Sequence, residues 1–388
     1  MAQRNNSRRG QQNRNNFMDY SLLFIVLFLL GFGLIMVYST SSYEANLDFG
    51  DSTYYLKKQL FASILGLIAM ILVANIPYHF WERFAVIGYV VSAVLILMII
   101  PFGYEAGGAK RWLYIGPISL QPAEVAKLGM ILFLASMINT MGKQIRGRKG
   151  FWMVLLTPAP IALMIWKITN NMSSAIIVMG IAVLMLFVSS PEYKRFIILG
   201  LLTLAGAAII VFAIVQMAAN STDSLNFRGE RILAWLDPSA YASGKGFQTL
   251  QALYAIGSGG VLGKGLGQSM QKLGFLPEAQ NDMIFSIICE ELGLFGGIAV
   301  IVMFILLIWR FMIIANNAPD LFGALLVVGV MGHIAIQVIL NIAVVTNTIP
   351  NTGISLPFIS YGGSSVMFLL IEIGLVLSVA KGIRLKDL

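Results

Sequence analysis

Apolar residues run along this chain in long blocks, and polar residues collect in the short breaks between them. A helix that crosses a bilayer needs about 20 mostly apolar residues. Ten stretches meet that length, near residues 20–41, 58–76, 82–101, 122–141, 151–168, 172–190, 195–219, 288–313, 320–345 and 364–382. Only Thr169-Asn170-Asn171 divides the fifth from the sixth. The fifth also carries Pro158, Pro160 and Lys167, which predict a kinked segment sheltered from lipid. Between the seventh and eighth stretches the pattern breaks down. Residues 220–287 form a connection far longer than the rest, which predicts a separately structured or functional outer loop.

Composition agrees with the pattern. Of 388 residues, 58% are hydrophobic and 11% charged, against about 25% charged in soluble domains. The fold expected is an all-α polytopic membrane protein of about ten transmembrane helices. Lys and Arg set its orientation. They gather in the N-terminal tail (Arg4, Arg8, Arg9, Arg14), after the fourth span (Lys143, Arg146, Arg148, Lys149) and at Lys194, Arg195, Arg310, Lys381, Arg384 and Lys386. With ten crossings all fall on one side, so both termini are expected in the cytoplasm. A signal-peptide reading of the first span would break this alternation. Residues 1–18, polar and basic, are expected to form a disordered tail, residues 19–383 a single transmembrane domain, and 384–388 a cytoplasmic tail.

The net charge of +8 is therefore explained by topology and not by nucleic-acid binding. One cysteine, Cys289, excludes a disulfide framework, and with only His79 and His333 a histidine-rich metal site is not expected. The outer connections also hold Lys57, Lys58, Lys110, Arg111, Arg228, Arg231, Lys245, Lys264 and Lys272. Snorkelling to headgroups is one reading of these; an anion-binding outer surface is the other.

Several carboxylates lie at membrane depth, where they are costly unless used. Asp282, in Pro277-Glu278-Ala279-Gln280-Asn281-Asp282-Met283, stands where the long loop meets the eighth span. It could cap that helix, as could Asn281, or serve as a general base. A helix N-terminus would lower its basicity, and desolvation would raise it. Glu290 and Glu291 follow about two turns on, roughly 12 Å along the axis. They read either as a structural hydrogen-bond cluster or as a proton path or support for Asp282. Gln121-Pro122-Ala123-Glu124-Val125-Ala126-Lys127 opens the fourth span, with Pro122 suited to a first helical position. Glu124 and Lys127, at i and i+3, can neutralise each other, or Lys127 can face a phosphate. The glycine-rich run from Gly257 to Ser269 lacks phosphate-loop spacing and reads as a close-packed or flexible re-entrant segment. Leu356-Pro357-Phe358-Ile359-Ser360-Tyr361-Gly362-Gly363-Ser364-Ser365 predicts irregular backbone lining a cavity near the outer face.

Four of these blocks carry a family resemblance: Lys110-Arg111-Trp112 leading to Gln121-Pro122-Ala123-Glu124, Gly246-Phe247-Gln248 to Gln268-Ser269, Pro277 to Leu292, and Leu356 to Ser365. With Asp237-Pro238 and Asn341 they resemble the SEDS family (shape, elongation, division and sporulation proteins) from about Asp19 to Lys381. The chain is most similar to the cell-division type. The resemblance implies a peptidoglycan glycosyltransferase that joins lipid II, a disaccharide-pentapeptide on undecaprenyl pyrophosphate, into glycan strands at the outer face of a bacterial plasma membrane, at the division septum. It places the essential carboxylate at Asp282, and the reaction inverts an α-linked donor to a β-linked product. Arg111 and Lys127 are the expected pyrophosphate cations, with Gln121, Glu124, Glu278, Gln280 and Ser364 also lining the substrate and Glu290 and Glu291 in support. A divalent cation, Mg or Mn, is a further candidate, and no nucleotide is needed. Expected partners are a class B penicillin-binding protein, other division-complex membrane proteins and membrane lipids.

Two departures stand out. An acidic block usual at the start of the sixth span reads Asn170-Asn171-Met172-Ser173-Ser174-Ala175 here, so a metal or substrate role assigned to that acid has no residue to carry it. Around Asp282 the sequence is Asn-Asp-Met where Thr-Asp-Phe is common. The competing functions are a lipid II transporter, in which Glu124, Lys127, Glu290 and Glu291 couple to ions, an elongation or sporulation polymerase of the same family, and a scaffold that only recruits a partner.

Overall fold

A computed structural model of the chain describes residues 19–106, 109–115, 118–220, 227–244 and 246–383. The tails at 1–18 and 384–388, with their basic residues, and Lys245 lie outside the described residues. Fourteen helices are present: α1 (Tyr20–Phe49), α2 (Tyr54–Asn75), a short α3 (Tyr78–Glu82), α4 (Ala85–Phe102), α5 (Pro122–Met141), α6 (Arg148–Leu156), α7 (Ala159–Ile168), α8 (Met172–Ser189), α9 (Tyr193–Asn220), α10 (Phe227–Leu236), α11 (Phe247–Gly259), α12 (Ile284–Asn316), α13 (Leu321–Val345) and α14 (Gly363–Ala380). Ten helical segments among the described residues are long and apolar enough to span a bilayer, matching the ten predicted stretches.

Local chemistry explains the breaks. The fifth span is two helices, α6 and α7, parted at Thr157-Pro158, because Pro158 has no amide to donate and its ring crowds the carbonyl of the preceding turn. Asn171 caps α8 by accepting the Ser174 amide, 3.0 Å away. At the end expected to be cytoplasmic, Asp19 caps α1 and pairs with Arg310 of α12 at 2.6 Å. Asp320 caps α13, bonds the Tyr78 hydroxyl and lies 3.0 Å from His79.

The centre of the molecule is α13 and α14, whose buried faces meet α2, α5, α8 and α12. Around them the outward surfaces are Leu, Ile, Val and Phe, as lipid contact requires. At the periphery stands α9, where no residue of the apolar window is buried. Between α4 and α5 lies a small antiparallel sheet, β1 (Tyr104–Ala106), β2 (Ala109–Ile115) and β3 (Ile118–Leu120), in sequential order. The sequence predicted only a loop there. Its strands are too short to show a period, and they gain stability only as a three-strand set.

The long outer connection is folded. It carries α10 and α11, then a run of turns from Gly260 to Met283. As expected for a re-entrant segment, the glycine-rich run packs against α12: the amides of Lys264 and Gly265 bond the carbonyls of Glu290 and Glu291, at 3.0 and 2.9 Å. Gly263 has φ +80°, and a Cβ there would sit 2.2 Å from the Glu291 carbonyl oxygen, so no other residue fits.

Candidate active site

Asp282 sits in a turn at the outer end of α12. The helix starts at Ile284 with Met283 in the N-cap position, and no side chain caps it. Asp282 is therefore not the cap but the residue before it. The residue is 8% exposed. Its Oδ1 is buried without a hydrogen-bond partner. Burial, reinforced by the Glu278 carboxylate and only partly opposed by its own backbone amide and by Arg231, pushes its carboxyl up to about 7. That is the range in which a carboxylate can take a proton near neutral pH.

The turn is held from behind by Asn341, fully buried on α13. Its Nδ2 donates to the Asp282 carbonyl at 2.8 Å and to the Ile354 carbonyl at 2.6 Å. One amide thus ties the Asp282 backbone to the loop that precedes α14. Gly353 of that loop faces the carboxylate: a Cβ there would lie 3.8 Å from Oδ2. Ser173, at the position of the missing acidic block, donates to the Thr352 carbonyl at 2.5 Å. That block now supports the loop through a hydroxyl.

The loop at 356–362 is also built into the protein, as its irregular sequence predicted. Gln59 of α2 donates to the Ser360 carbonyl and accepts the Gly362 amide, at 3.3 and 3.0 Å. The Tyr361 amide donates to the Gln280 carbonyl at 2.9 Å, and the Tyr361 ring meets Tyr55 edge-on at 5.0 Å. Gly33 of α1 permits this approach, since a Cβ there would fall 2.4 Å from the Phe358 carbonyl oxygen. Buried polar atoms without a protein partner gather here: Asp282 Oδ1, Gln280 Oε1, Asn341 Oδ1, Thr352 Oγ1 and Ser364 Oγ. Such atoms are rare in finished cores and mark a place where water or a ligand completes the hydrogen bonding.

The other candidate residues are placed as follows. Glu278, at φ +57°, accepts from the Asn281 side chain and stands beside Asp282. Gln121 precedes α5 without capping it, and Pro122 takes the first helical position. Lys127 is buried against Glu124 at 2.7 Å and donates to Gln337 Oε1 at 3.5 Å, so a phosphate would have to enter an existing ion pair. Ser365 extends that pair, its hydroxyl 3.5 Å from Glu124. Arg111 donates to the backbone carbonyls of Thr169 and Asn170 at 3.2 and 3.3 Å.

Glu290 and Glu291 point elsewhere. Glu290 bonds Lys264 at 2.7 Å, the Ser269 hydroxyl and the Met270 amide; Glu291 bonds Lys272 and the Ser39 hydroxyl at 2.7 and 2.8 Å. None of these bonds reaches Asp282. Of the two readings, the hydrogen-bond cluster is the one displayed. Among the described residues no group of three or more His, Cys, Asp or Glu could hold a metal ion.

Sequence reasoning did not single out the roles of Asn341, Gln59 and Ser173. Nor did it foresee the buried chain formed by Gln337, His333 and Glu372. His333 lies 2.8 Å from Glu372 and 2.9 Å from Gln337 Oε1, while Gln337 donates to the Ser355 carbonyl at 3.0 Å. Polar residues in otherwise apolar spans were the available signal.

This geometry can be set against known proteins. Residues 20–384 match the family model described as cell cycle protein, which covers the FtsW, RodA and SpoVE proteins. Stage V sporulation protein E of Bacillus subtilis (strain 168) is 40% identical over 366 residues, covering 94% of this chain and 97% of that protein. The probable peptidoglycan glycosyltransferase FtsW of Geobacter metallireducens is 38% identical over 369 residues, 93% of this chain and 94% of the relative. A chain from a structure of a peptidoglycan synthase complex that coordinates polymerization and crosslinking superposes with TM-score 0.75 at 26% identity, covering 94% of this chain and 97% of that one. The rod shape determining protein RodA of Thermus thermophilus superposes with TM-score 0.64 at 26% identity, over 94% and 96% of the two chains. The chain belongs to the SEDS family of polytopic membrane proteins.

Proposed function

We propose that this protein is a peptidoglycan glycosyltransferase that polymerises lipid II at the outer face of the bacterial plasma membrane, with Asp282 as general base. The observation that carries the reading is the buried Asp282 carboxylate, with one oxygen unpartnered and its proton affinity raised into the neutral range. The relatives named as FtsW glycosyltransferases support the substrate class.

In the reaction, an acceptor sugar hydroxyl attacks the donor anomeric carbon. The new C–O bond forms as the bond from that carbon to the diphosphate oxygen breaks, and the electron pair leaves with the diphosphate. The hydroxyl proton passes to Asp282. One displacement inverts the anomeric centre, so no protein nucleophile is required. Asn341 and Gly353 position the carboxylate. A divalent cation would neutralise the leaving diphosphate. Magnesium is commonly held by one or two carboxylates plus substrate phosphates, and here Asp282 and Glu278 would be the carboxylates beside the reacting atoms.

We place the protein at the division septum, working with a class B penicillin-binding protein and other division-complex proteins. A sporulation setting is the second reading, supported by the 40% identity to the sporulation protein. The test uses purified protein with its transpeptidase and labelled lipid II. Asp282→Asn should abolish glycan strands while the protein elutes and melts as a folded species. Undiminished polymer from that variant would remove the base, and lipid movement without polymer from the wild type would favour a transporter.

A further inference from the structure

The outer loop borders an open cavity of about 190 Å³ lined by Arg231, Trp235, Phe247, Gln248, Pro277 and Asn351, among others. Sites for whole small molecules run to about 300–1,000 Å³, so this space suits one ring of a larger ligand. Its walls are preset. Arg231 Nη1 donates to the Asn351 carbonyl at 3.4 Å, Asn351 Nδ2 to Gln248 Oε1 at 2.8 Å, and Gln248 Nε2 to the Pro277 carbonyl at 3.1 Å. Trp235 Nε1 donates to the Asn347 carbonyl at 3.0 Å, which clips α10 to the outer end of α13. Each side-chain amide keeps a second donor or acceptor position for a ligand.

Two strands of chain join this cavity to the carboxylate. Pro277 opens the turn that carries Asp282, and Asn351 stands two residues before Gly353, the residue facing Oδ2. Arg231 is the cation whose field reaches Asp282. The turn of Asp282 also carries Glu278 and Gln280, with Glu44 hydrogen-bonded to Gln280 and the ring of Tyr361, whose amide binds Gln280, edge-on to Tyr55. A diphosphate is repelled by carboxylates and drawn to the Arg231 guanidinium, whose planar fork matches phosphate oxygens.

We propose that the cavity is the donor subsite, taking the sugar that is linked to diphosphate. Arg231 meets the diphosphate, Trp235 and Phe247 cover the apolar face of the ring, and Gln248 and Asn351 read its polar groups. The acceptor sugar then approaches from the side of Glu278, Tyr55 and Tyr361. This assignment rests on the reading of the protein as a lipid II polymerase.

The test measures binding alone, in the full-length protein carrying Asp282→Asn, so that its failure is separable from failure of the base. The probes are lipid II capped at its acceptor hydroxyl, which can only donate, and undecaprenyl diphosphate, which has no sugar. Arg231→Met should weaken both at least tenfold, and Arg231→Lys should lose severalfold less. Gln248→Leu should weaken capped lipid II about fivefold and leave undecaprenyl diphosphate unchanged. Unchanged binding of both probes by Arg231→Met would overturn the assignment. So would equal weakening of both by Gln248→Leu, or equal losses in the Lys and Met variants when both melt like the parent.

Discussion

At the scale of single residues, the behaviour of Asp282 follows from its surroundings. A base whose carboxyl is pushed up to about 7 is ionised above that pH and protonated below it. Polymerisation should therefore fall about tenfold for each pH unit below 7 and level off above it. A steady-state profile of purified enzyme checks this, and a limb near pH 4 would contradict it. The same shift carries a stability consequence of definite sign. Below about pH 4 the group is protonated whether the chain is folded or unfolded, so its effect is nil. Between about 4 and 7 the unfolded chain has lost the proton and the folded chain keeps it, so stability declines as pH rises. Above 7 the penalty is constant, at most about 4 kcal/mol at 1.36 kcal/mol per unit. Asp282→Asn should thus melt higher relative to wild type at pH 8 than at pH 5. Asn341 makes a different prediction. Asn341→Leu leaves the carbonyls of Asp282 and Ile354 buried and unpaired, which costs about 1–3 kcal/mol each. It should cut turnover more than substrate binding, because it loosens the base. Asp282 was legible in the sequence as a carboxylate at a loop–membrane boundary. Whether it capped a helix was not, because that depends on the residue at which the helix starts.

At the scale of elements, two of the ion pairs made by α12 fasten the outer loop. Lys264 of the glycine-rich run and Lys272 just after it reach Glu290 and Glu291, and Lys272 also donates to Ser39 of α1 at 3.0 Å. Breaking one partner of a buried pair costs about 3–5 kcal/mol, because the other charge is left without compensation. Lys272→Met should lower the melting temperature by that equivalent, and Lys272→Met with Glu291→Gln should recover much of it. A simple sum of the two single losses, measured by thermal melting in detergent, would show that the pair is not coupled. The glutamates and glycines were visible in the sequence, and so was the close-packed character of the turn. The partner lysines, 19 and 26 residues earlier, were not assignable, since nothing local sets how a turn folds back on a helix. The sheet between α4 and α5 was missed for a related reason: its strands stabilise one another and have no strong individual pattern.

At the scale of the whole molecule, one buried polar chain binds three spans. Glu124 and Lys127 of α5 meet Gln337 of α13, which meets His333, which meets Glu372 of α14. All five side chains are buried, so the chain must stay paired to be tolerated at membrane depth. Lys127→Met should destabilise by about 3–5 kcal/mol, while Lys127→Met with Glu124→Gln should melt close to wild type. That double variant also separates two roles of Lys127. If the lysine faces a phosphate, the folded double variant still shows a raised KM for lipid II; if the ion pair is structural only, KM is unchanged. The sequence paired Glu124 with Lys127 through their i, i+3 spacing. It could not supply Gln337, 210 residues from Lys127, or the His333 and Glu372 that follow it in the chain of contacts, because these meet only where α5, α13 and α14 pack together.

The sequence by itself determined the ten spans, because apolar length and charge placement are dictated locally by the bilayer, and the family, because four motif blocks carry it. Helix breaks at Pro158 and Asn171 were local for the same reason. Only the tertiary structure decided which polar groups face one another: Asn341 behind Asp282, Lys272 on Glu291, Arg231 and Gln248 around one cavity. Those pairings join residues far apart along the chain, and hydrophobic periodicity carries no information about which side of one helix meets which side of another.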